Sequence, residues 1–337
     1  MKFARTRVPG PDGDVARLVV VDTDGDRIID LATAERLRLQ GRSASGRRAR
    51  EVALTTFPGS LAAALSTGDE FLDAVGRALD ARGDDASAPL DGQSWLPSVD
   101  APLLRDCSAF EEHLVGYHER LGLDMNMGHF EMPAYYKTSP SRLIGHEAEV
   151  PWPHYTDYLD YELELGFVVG KVGRDLDPEA AERLLFGVTV FNDFSARDIQ
   201  APEMRLGLGP TKSKDFASAL GPWVTTIDEV DVHELEMIAR VNGEEWSRGS
   251  SSSMIWTPGE LVAYISQGDE LHPGDVIGSG TAPRGSALEL GRKLSPGDEV
   301  ELEVTGVGVL RNVIGPKQPT GWTPPKKEPK IFGKSRA

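Results

Sequence analysis

The sequence predicts an α+β protein in which short strands outnumber helices. Runs of β-forming residues, separated by turn residues, recur through its 337 residues beside a few short helical patterns. No internal repeat indicates a solenoid, and long helices are too few for a parallel α/β barrel. A chain of this length accommodates two domains, or one large domain with an appendage.

The composition excludes several classes of partner. Lysine and arginine number 36 against 53 aspartates and glutamates, a net charge of −17, which argues against nucleic-acid and anionic-membrane surfaces. The single Cys107 excludes an intrachain disulfide framework and fits a reducing compartment. The first residues lack the apolar core of a signal peptide, and no apolar run approaches a membrane span. We therefore expect a soluble cytoplasmic protein.

The first 88 residues are predicted to form a small unit of strands and helices. Residues 15–21 and 27–31 are predicted strands. The Asp-rich turn between them lacks the flanking helices and distal glutamate of a calcium loop, so a hairpin is expected. Helical spacing follows in residues 61–65 and 71–79. Residues 84–102, rich in Asp, Ser, Pro and Gly, are interpreted as a linker or extended crossing segment.

The strand predicted at residues 160–170 carries the first chemical signal. Alternate side chains of a strand share a face, so Glu162 and Glu164 project together, about 6–7 Å apart at their Cα atoms. A Glu-x-Glu pair is more often an exposed polar face. Here the strand continues into an apolar run, and two buried carboxylates require either a cation or raised pKa values.

A second apolar run, residues 186–191, ends in further polar groups. The string Asn-Asp-Phe-Ser-Ala-Arg-Asp-Ile-Gln follows it directly and supplies Asp193, Arg197 and Gln200. Acidic oxygens that converge from strand ends suit a hard divalent cation, Mg²⁺, Mn²⁺ or Ca²⁺.

The C-terminal third is predicted to be rich in strands. Asn242-Gly243 is a strong hairpin signal, and Pro-Gly-Asp turns occur at residues 273–275 and 296–298. Residues 300–304 are β-forming. Residues 326–337 form a basic tail that we expect to be disordered.

The two acidic motifs, taken in order, resemble the signature of the fumarylacetoacetate hydrolase family. Tyr-Glu-Leu-Glu at residues 161–164 is followed by the Asn-to-Gln string at residues 192–200, and the resemblance extends from about residue 104 to 312. It implies that residues 89–325 form the mixed β-roll catalytic domain of this family. Residues 1–88 would then be the small N-terminal β-containing domain found in longer members.

The resemblance implies a divalent metal and a general base. By pattern alone, Asp106 or Ser108 is the N-cap of a helix that carries His113. In the family, a metal-ligand aspartate lies seven residues before the base histidine, as Asp106 does before His113. The implied ligands of Mg²⁺ or Mn²⁺, with Ca²⁺ as a further candidate, are Asp106, Glu162, Glu164 and Asp193.

Further catalytic roles follow from the same resemblance. Glu289 would orient His113. A loop lysine, with Arg197 and Gln200, would stabilise an oxyanion. Lys212 fits the lysine position best, with Lys214 the close alternative.

Other positions would contact the substrate. The residues implied are Tyr136, Thr281 and Lys214. Ser108 and Met204 stand where the family has tyrosine, and the second departure argues for a substrate unlike that of the name-giving enzyme.

The implied reaction is hydrolytic cleavage of a carbon–carbon bond in a 1,3-diketo acid, an acylpyruvate or a fumarylacetoacetate-like compound, in the catabolism of aromatic or related compounds. The alternative is a metal-dependent decarboxylase or tautomerase of 3-oxo acids such as oxaloacetate. Because only the hydrolase needs a dyad that activates water, His113 with Glu289 favours the hydrolase. A non-catalytic binding protein would have no use for a complete set of acid, base and oxyanion groups. We expect a homodimer whose partner is a small-molecule diketo acid.

Overall fold

The computed structural model of the protein describes residues 1–10, 13–42, 44–81 and 83–328. Nine α-helices lie within this part: α1 (Leu31–Gly41), α2 (Gly46–Thr56), α3 (Leu61–Leu65), α4 (Glu70–Asp80), α5 (Glu111–Leu121), α6 (Pro178–Glu182), α7 (Arg197–Met204), α8 (Pro258–Ser266) and α9 (Ala287–Leu290). No helix in these ranges combines the length and apolar character needed to cross a bilayer. The expected tail lies outside the described residues from residue 329 onward.

The strands of the described ranges are β1 (Lys2–Val8), β2 (Val15–Asp22), β3 (Arg27–Asp30), β4 (Ser87–Pro89), β5 (Ser94–Trp95), β6 (Leu104–Cys107), β7 (Tyr135–Thr138), β8 (Leu143–Ile144), β9 (Glu149–Trp152), β10 (Leu159–Asp160), β11 (Leu163–Val169), β12 (Leu185–Asn192), β13 (Ser195–Ala196), β14 (Ser218–Thr226), β15 (Glu236–Val241), β16 (Glu244–Ser250), β17 (Val276–Gly278), β18 (Glu299–Val304) and β19 (Gly308–Lys317). Parallel and antiparallel pairs both occur, so the sheets are mixed. The α+β class expected from the sequence is confirmed.

The larger sheet places β11 near its middle. The order is β4-β3-β2-β1-β14-β12-β11-β17-β6-β7, with β5 beside β1 and β8 beside β14. All seven residues of β11 are buried, because both faces of the strand are covered. Glu164 is one of them, so its carboxylate lies in the protein interior and not on the exposed polar face that Glu-x-Glu usually forms.

A five-stranded sheet, in the order β16-β15-β18-β19-β9, packs against the larger one, and β10 and β13 form a separate two-stranded sheet. Met237 and Leu302 from the five-stranded sheet belong to the same buried apolar cluster as Leu165 of β11. The predicted hairpin joins β15 to β16, and its Asn242 and Gly243 have φ values of 53° and 77°. Two positive φ values are what a two-residue hairpin turn requires, which explains the Asn-Gly pair.

The N-terminal unit is continuous with the larger sheet. Phe3 of β1 pairs with Val224 of β14, which lies more than two hundred residues later. The Phe3 ring lies 5.3 Å from that of Phe71 on α4 and 5.5 Å from that of Phe186 on β12. The predicted linker, residues 84–102, contributes the short strands β4 and β5. The division at residue 88 stays a prediction, but the two units share a sheet and a core.

The segment of residues 104–113 differs from the helix start that its pattern predicted. Asp106 lies on β6, which pairs in parallel with β17 so that Asp106 faces Gly278. Helix α5 begins only at Glu111 and has Phe110 at its N-cap. The N-cap interpretation of Asp106 and Ser108 is therefore wrong. A Cβ at Gly278 would lie 2.3 Å from Oδ1 of Asp106, so this position requires glycine.

The shared core predicts that Phe3→Ala destabilises the whole protein. Phe3 is fully buried, and Phe→Ala in a core costs about 3–5 kcal/mol of unfolding free energy. Urea denaturation followed by circular dichroism should therefore give one transition at a lower midpoint. Leu72→Ala on α4 is the control, since Leu72 is 45% exposed and should change stability by less than about 0.5 kcal/mol. Two separate transitions, with only the first displaced, would contradict the continuity of the core.

Candidate active site

A cavity of about 410 Å³ brings most of the predicted site residues together. Nine of the twelve line it directly: Asp106, His113, Tyr136, Glu162, Glu164, Arg197, Gln200, Lys214 and Thr281. Asp193 and Glu289 lie behind this lining, hydrogen-bonded to Tyr136 and His113 respectively. Lys212 does not line the cavity.

Three buried carboxylates form a compact cluster. Oxygen atoms of Asp106, Glu164 and Asp193 all lie within 4.8 Å of one another. Burial, followed by the negative charge of Asp193, raises the pKa of Asp106 to about 7. Burial and the neighbouring Asp106 carboxylate also raise the pKa of Glu164 well above its usual value. These carboxylates therefore resist ionisation together unless a cation joins them.

The charge of Glu162, the fourth predicted ligand, is balanced by two cationic side chains. Its Oε1 lies 2.8 Å from Nη1 of Arg197, and its Oε2 accepts from the ammonium of Lys214. Burial acts to raise the pKa of Glu162, but Arg197 and Lys214 outweigh it and hold the pKa far below its usual range. The side chain is thus an ionised carboxylate that already has two cationic partners.

The donor set of the cluster fits a hard divalent cation. Its ligand atoms are carboxylate oxygens, which Mg²⁺ and Mn²⁺ prefer. Oδ1 of Asp106 is buried and has no hydrogen-bond partner among the described residues. Buried polar atoms are almost always satisfied, so an oxygen without a partner beside two other carboxylates is a natural ligand position.

Lys214, and not Lys212, is the lysine that reaches the carboxylates. The buried Lys214 ammonium donates to Glu162 and Asp193. Burial acts to lower the pKa of Lys214, but Asp193 and Glu162 outweigh it and raise the pKa above its usual value. The side chain of Lys212 is 58% exposed, and its ammonium lies 4.7 Å from the centre of the Tyr155 ring. The prediction that Lys212 is the lysine beside the carboxylates is therefore wrong, because Lys214 occupies that place.

The carboxylate of Glu203 sets the position of the lysine loop. It accepts hydrogen bonds from the backbone nitrogen of Lys212 at 2.6 Å and from that of Ser213 at 3.1 Å. The Ser213 hydroxyl donates to the same carboxylate at 2.7 Å. This anchor to α7 fixes the loop in a register that exposes Lys212 and buries Lys214.

His113 and Glu289 form a dyad at the cavity wall. Nδ1 of His113 lies 2.8 Å from Oε2 of Glu289. A carboxylate accepts at this bond, so Nδ1 carries the proton and Nε2 is left to accept one. Burial acts to lower the pKa of His113, but Glu289 outweighs it and the pKa is raised. Glu289 is itself held by the Ser286 hydroxyl at 2.7 Å and the Arg284 backbone nitrogen at 3.1 Å.

Arg197 and Gln200 lie on one face of α7. Nε of Arg197 donates to Asp160 at 2.7 Å, and Nη1 donates to Oε1 of Gln200 at 2.9 Å. The Nη2 atom is buried and has no partner among the described residues. Because Oε1 of Gln200 accepts from Arg197, the amide nitrogen of Gln200 is the atom left to donate. Each side chain therefore keeps a hydrogen-bond donor for a bound molecule.

The other two predicted substrate contacts, Tyr136 and Thr281, also touch the carboxylate cluster. The Tyr136 hydroxyl donates to Asp193, because β7 pairs with β6 and sets Tyr136 opposite Asp106. The Thr281 hydroxyl donates to Oε1 of Glu164 at 3.3 Å. Both side chains line the cavity.

Sequence reasoning missed Asp160. This fully buried carboxylate binds Arg197 and accepts from the backbone nitrogens of Ala287 and Leu288 at 2.9 and 3.1 Å. It thereby ties α7 to α9, the helix that carries Glu289. A signal was present, since Asp160 extends the acidic period-two pattern of Glu162 and Glu164 by one step.

Comparison with known proteins gives a family and a fold. A family model described as fumarylacetoacetate (FAA) hydrolase C-terminal matches residues 104–315. An uncharacterized protein of Pyrococcus abyssi (strain GE5 / Orsay) is 34% identical over 186 residues, which cover 55% of this chain and 80% of the relative.

Two solved structures share the fold along nearly the whole chain. The fumarylacetoacetate hydrolase from psychrophilic Exiguobacterium antarcticum is 23% identical, with a TM-score of 0.68 over 94% of this chain and 99% of that one. Maleylpyruvate hydrolase from Sphingobium sp. SYK-6, in complex with manganese(II) ion and pyruvate, is 21% identical, with a TM-score of 0.68 over 94% and 100%. At these identities the likeness concerns the fold.

The cluster predicts that the chelator-treated protein binds Mn²⁺ and that Asp106→Asn weakens this binding. Changing a residue that only supports a metal ligand lowers the metal affinity by about 10–100-fold. Changing a ligand itself should lower the affinity by more than this. Because the pKa of Asp106 is about 7 without a cation, the affinity should fall as the pH is lowered through 7. Isothermal titration calorimetry measures both effects. The control is Asp215→Asn, a half-exposed carboxylate 3.9 Å from Lys212. Equal affinities for the two variants would exclude Asp106 as a ligand.

Proposed function

This chain belongs to the fumarylacetoacetate hydrolase family, and from that premise we propose that it is a metal-dependent hydrolase that cleaves a carbon–carbon bond in a 1,3-diketo acid. The substrate would be an acylpyruvate or a fumarylacetoacetate-like compound. The observation that carries the proposal is the His113–Glu289 dyad, which borders the same cavity as the carboxylate cluster. A base held by a carboxylate beside a cation site is what water activation requires.

The carboxylates would hold the metal ion. Asp106, Glu164 and Asp193 are the first candidates for ligands, with Glu162 beside them. Mg²⁺ or Mn²⁺ bound there would supply Lewis-acid polarisation of the substrate's oxygen atoms. The manganese ion in the complex of maleylpyruvate hydrolase, which has this fold, supports the choice of a divalent ion.

The dyad would activate the attacking water. Nε2 of His113 takes a proton from water as the water oxygen adds to the acyl carbonyl carbon. Glu289, bonded to Nδ1, fixes the tautomer and stabilises the imidazolium that forms. The carbon–carbon bond then breaks, and its electron pair leaves on the departing carbon as an enolate. Protonation of the enolate completes the two products, a carboxylic acid and a 2-oxo or 3-oxo acid.

Three donors are suited to the negative charge that develops on the carbonyl oxygen. They are the ammonium of Lys214, Nη2 of Arg197 and the amide nitrogen of Gln200, all on residues that line the cavity. Because the ion pairs with Glu162 and Asp160 hold Lys214 and Arg197 before substrate arrives, little reorganisation of these two groups is needed. A donor of this kind contributes about 3–4 kcal/mol to transition-state stabilisation.

The lysine assignment predicts different outcomes for two neighbouring substitutions. Lys214→Met should lower kcat by about 10²–10³-fold, the scale for loss of one oxyanion donor. Lys212→Met should leave kcat near that of the wild type, because its side chain is exposed and lies over Tyr155. Steady-state kinetics with an acylpyruvate measures both, and circular dichroism shows whether each variant is folded. A folded Lys214→Met protein with wild-type kcat would remove the lysine from the mechanism.

The dyad predicts that His113→Ala nearly abolishes carbon–carbon hydrolysis while Mn²⁺ binding persists. Glu289→Gln should lower the rate less and move the acidic limb of the pH–rate profile to lower pH. The reason is that Glu289 is the group that raises the pKa of His113, and a base with a lower pKa stays unprotonated to lower pH. The matched control is His233→Ala, whose histidine pairs with Glu182 at 2.8 Å outside the cavity.

The same variants separate the hydrolase from a decarboxylase or tautomerase. That alternative needs no activated water, so its 3-oxo acid turnover should survive His113→Ala. Wild-type and variant proteins are each given acylpyruvates and oxaloacetate. If the wild type ignores acylpyruvates and His113→Ala still consumes oxaloacetate at the wild-type rate, the hydrolase proposal is wrong.

A further inference from the structure

The mouth of the cavity differs in chemistry from its buried end. The carboxylates and Lys214 are buried, whereas Leu123 and Met204 are 51% and 46% exposed. Six apolar side chains line the cavity, together with polar ones such as Tyr117 and Asn126: Leu114, Leu121, Leu123, Ala201, Met204 and Pro210. We call these six residues the outer wall.

Along both helices that line the cavity, the lining side chains change from polar to apolar in the same direction. Helix α7 begins at Arg197 and ends at Met204, and both residues line the cavity. The two residues are seven steps apart along the helix, which is a distance of about 10 Å. Helix α5 carries His113 in its first turn and ends at Leu121, also in the lining. A group attached to the reacting carbonyl would therefore pass from polar to apolar surroundings along both helices.

The cations of the cavity are already engaged at its buried end. Arg197 is paired with Asp160 and Glu162, and Lys214 is paired with Glu162 and Asp193. Neither is free to bind a second carboxylate at the mouth. Among the described residues that line the cavity, Arg205 is the one other arginine or lysine. Its side chain is exposed, and an exposed cation attracts a carboxylate weakly because water screens the pair.

Two histidines also line the cavity, His118 and His129. Burial, followed by the charge of His118, lowers the pKa of His129 below the usual value. Burial thus favours the neutral form of His129, and Nδ1 of His118 lies 2.7 Å from the backbone carbonyl oxygen of Leu114. A carboxylate that entered this region would meet apolar side chains and, in Arg205, only a cation that water screens. An alkyl or aryl group there would remove apolar surface from water, which is favourable.

We propose that the acyl arm of the substrate is uncharged and apolar, an alkyl or aryl group that covers the outer wall, and that Met204 is a specificity-determining residue. This rests on the proposed function, since the acyl arm is the part of a diketo acid that the hydrolysis releases as a carboxylic acid. Methionine suits the role because its unbranched, flexible side chain adapts to apolar groups of different shape.

Chain length is the direct test. Acylpyruvates from acetyl to hexanoyl are compared with acyl groups of equal length that end in a carboxylate. We expect kcat/KM to rise about three- to fourfold per added methylene until the outer wall is covered. The carboxylate-ended substrates should be poorer by about tenfold or more.

Variants assign the effect to Met204. Met204→Ala should flatten the dependence on chain length, and Met204→Lys should shift the preference toward carboxylate-ended substrates. Leu208→Ala is the matched control, because Leu208 lies in the loop that follows α7, is 90% exposed and does not line the cavity. An unchanged dependence in Met204→Ala, or the same flattening in Leu208→Ala, would overturn the role of Met204.

A binding experiment separates this inference from the proposed reaction. Calorimetry measures the affinity of the wild type for butanoate, pentanoate and hexanoate against the dicarboxylates of equal length. Tighter binding of longer alkanoates without turnover of any acylpyruvate would overturn the hydrolase and leave the apolar arm standing. Turnover that favours carboxylate-ended substrates, and that Arg205→Gln reduces more than tenfold, would overturn the apolar arm and leave the hydrolase standing. Binding and turnover that are both independent of chain length would also overturn the apolar arm.

Discussion

The buried ion pair between Arg197 and Asp160 connects the separate parts of the site. The guanidinium nitrogen Nε lies 2.7 Å from Oδ2 of Asp160, and both side chains are almost completely buried. Asp160 also accepts from two backbone nitrogens of α9, which carries Glu289 and thereby holds His113. On its other side, Arg197 reaches Glu162 at 2.8 Å. The dyad and the carboxylates are thus connected through this one contact. Removing one partner of a buried pair typically lowers the free energy of unfolding by about 3–5 kcal/mol.

The charges around this contact explain why a cation belongs in the site. Five buried carboxylates, Asp106, Asp160, Glu162, Glu164 and Asp193, surround two buried cations, Arg197 and Lys214. Full ionisation would leave a surplus of 5 − 2 = 3 negative charges. The pKa values of Asp106 and Glu164 are raised, so without a metal these two resist ionisation. A divalent ion bound there would therefore compete with protons for the same oxygens.

Local patterns predicted much of the fold and less of the site. The hairpin at Asn242 and the helix over residues 71–79 follow from spacing and turn chemistry alone. The burial of the acidic strand does not, because a Glu-x-Glu pair by itself favours an exposed face. Asp106 was ambiguous because its strand is only four residues long and pairs in parallel with β17, far along the chain. The pairing of β1 with β14 is equally non-local. Which lysine enters the site depended on the anchor at Glu203, a contact between loop and helix that no periodicity encodes.

Helix α7 joins the proposed chemistry to the proposed selectivity. Its first residue, Arg197, would offer a donor to the reacting carbonyl oxygen, and its last, Met204, belongs to the outer wall. The helix fixes the separation of these two positions at about 10 Å. An acyl group that covers Met204 therefore sets where its own carbonyl lies relative to Arg197 and to Nε2 of His113. Because orientation of this kind can supply a large part of a rate enhancement, contacts at the cavity mouth would act on kcat as well as on KM.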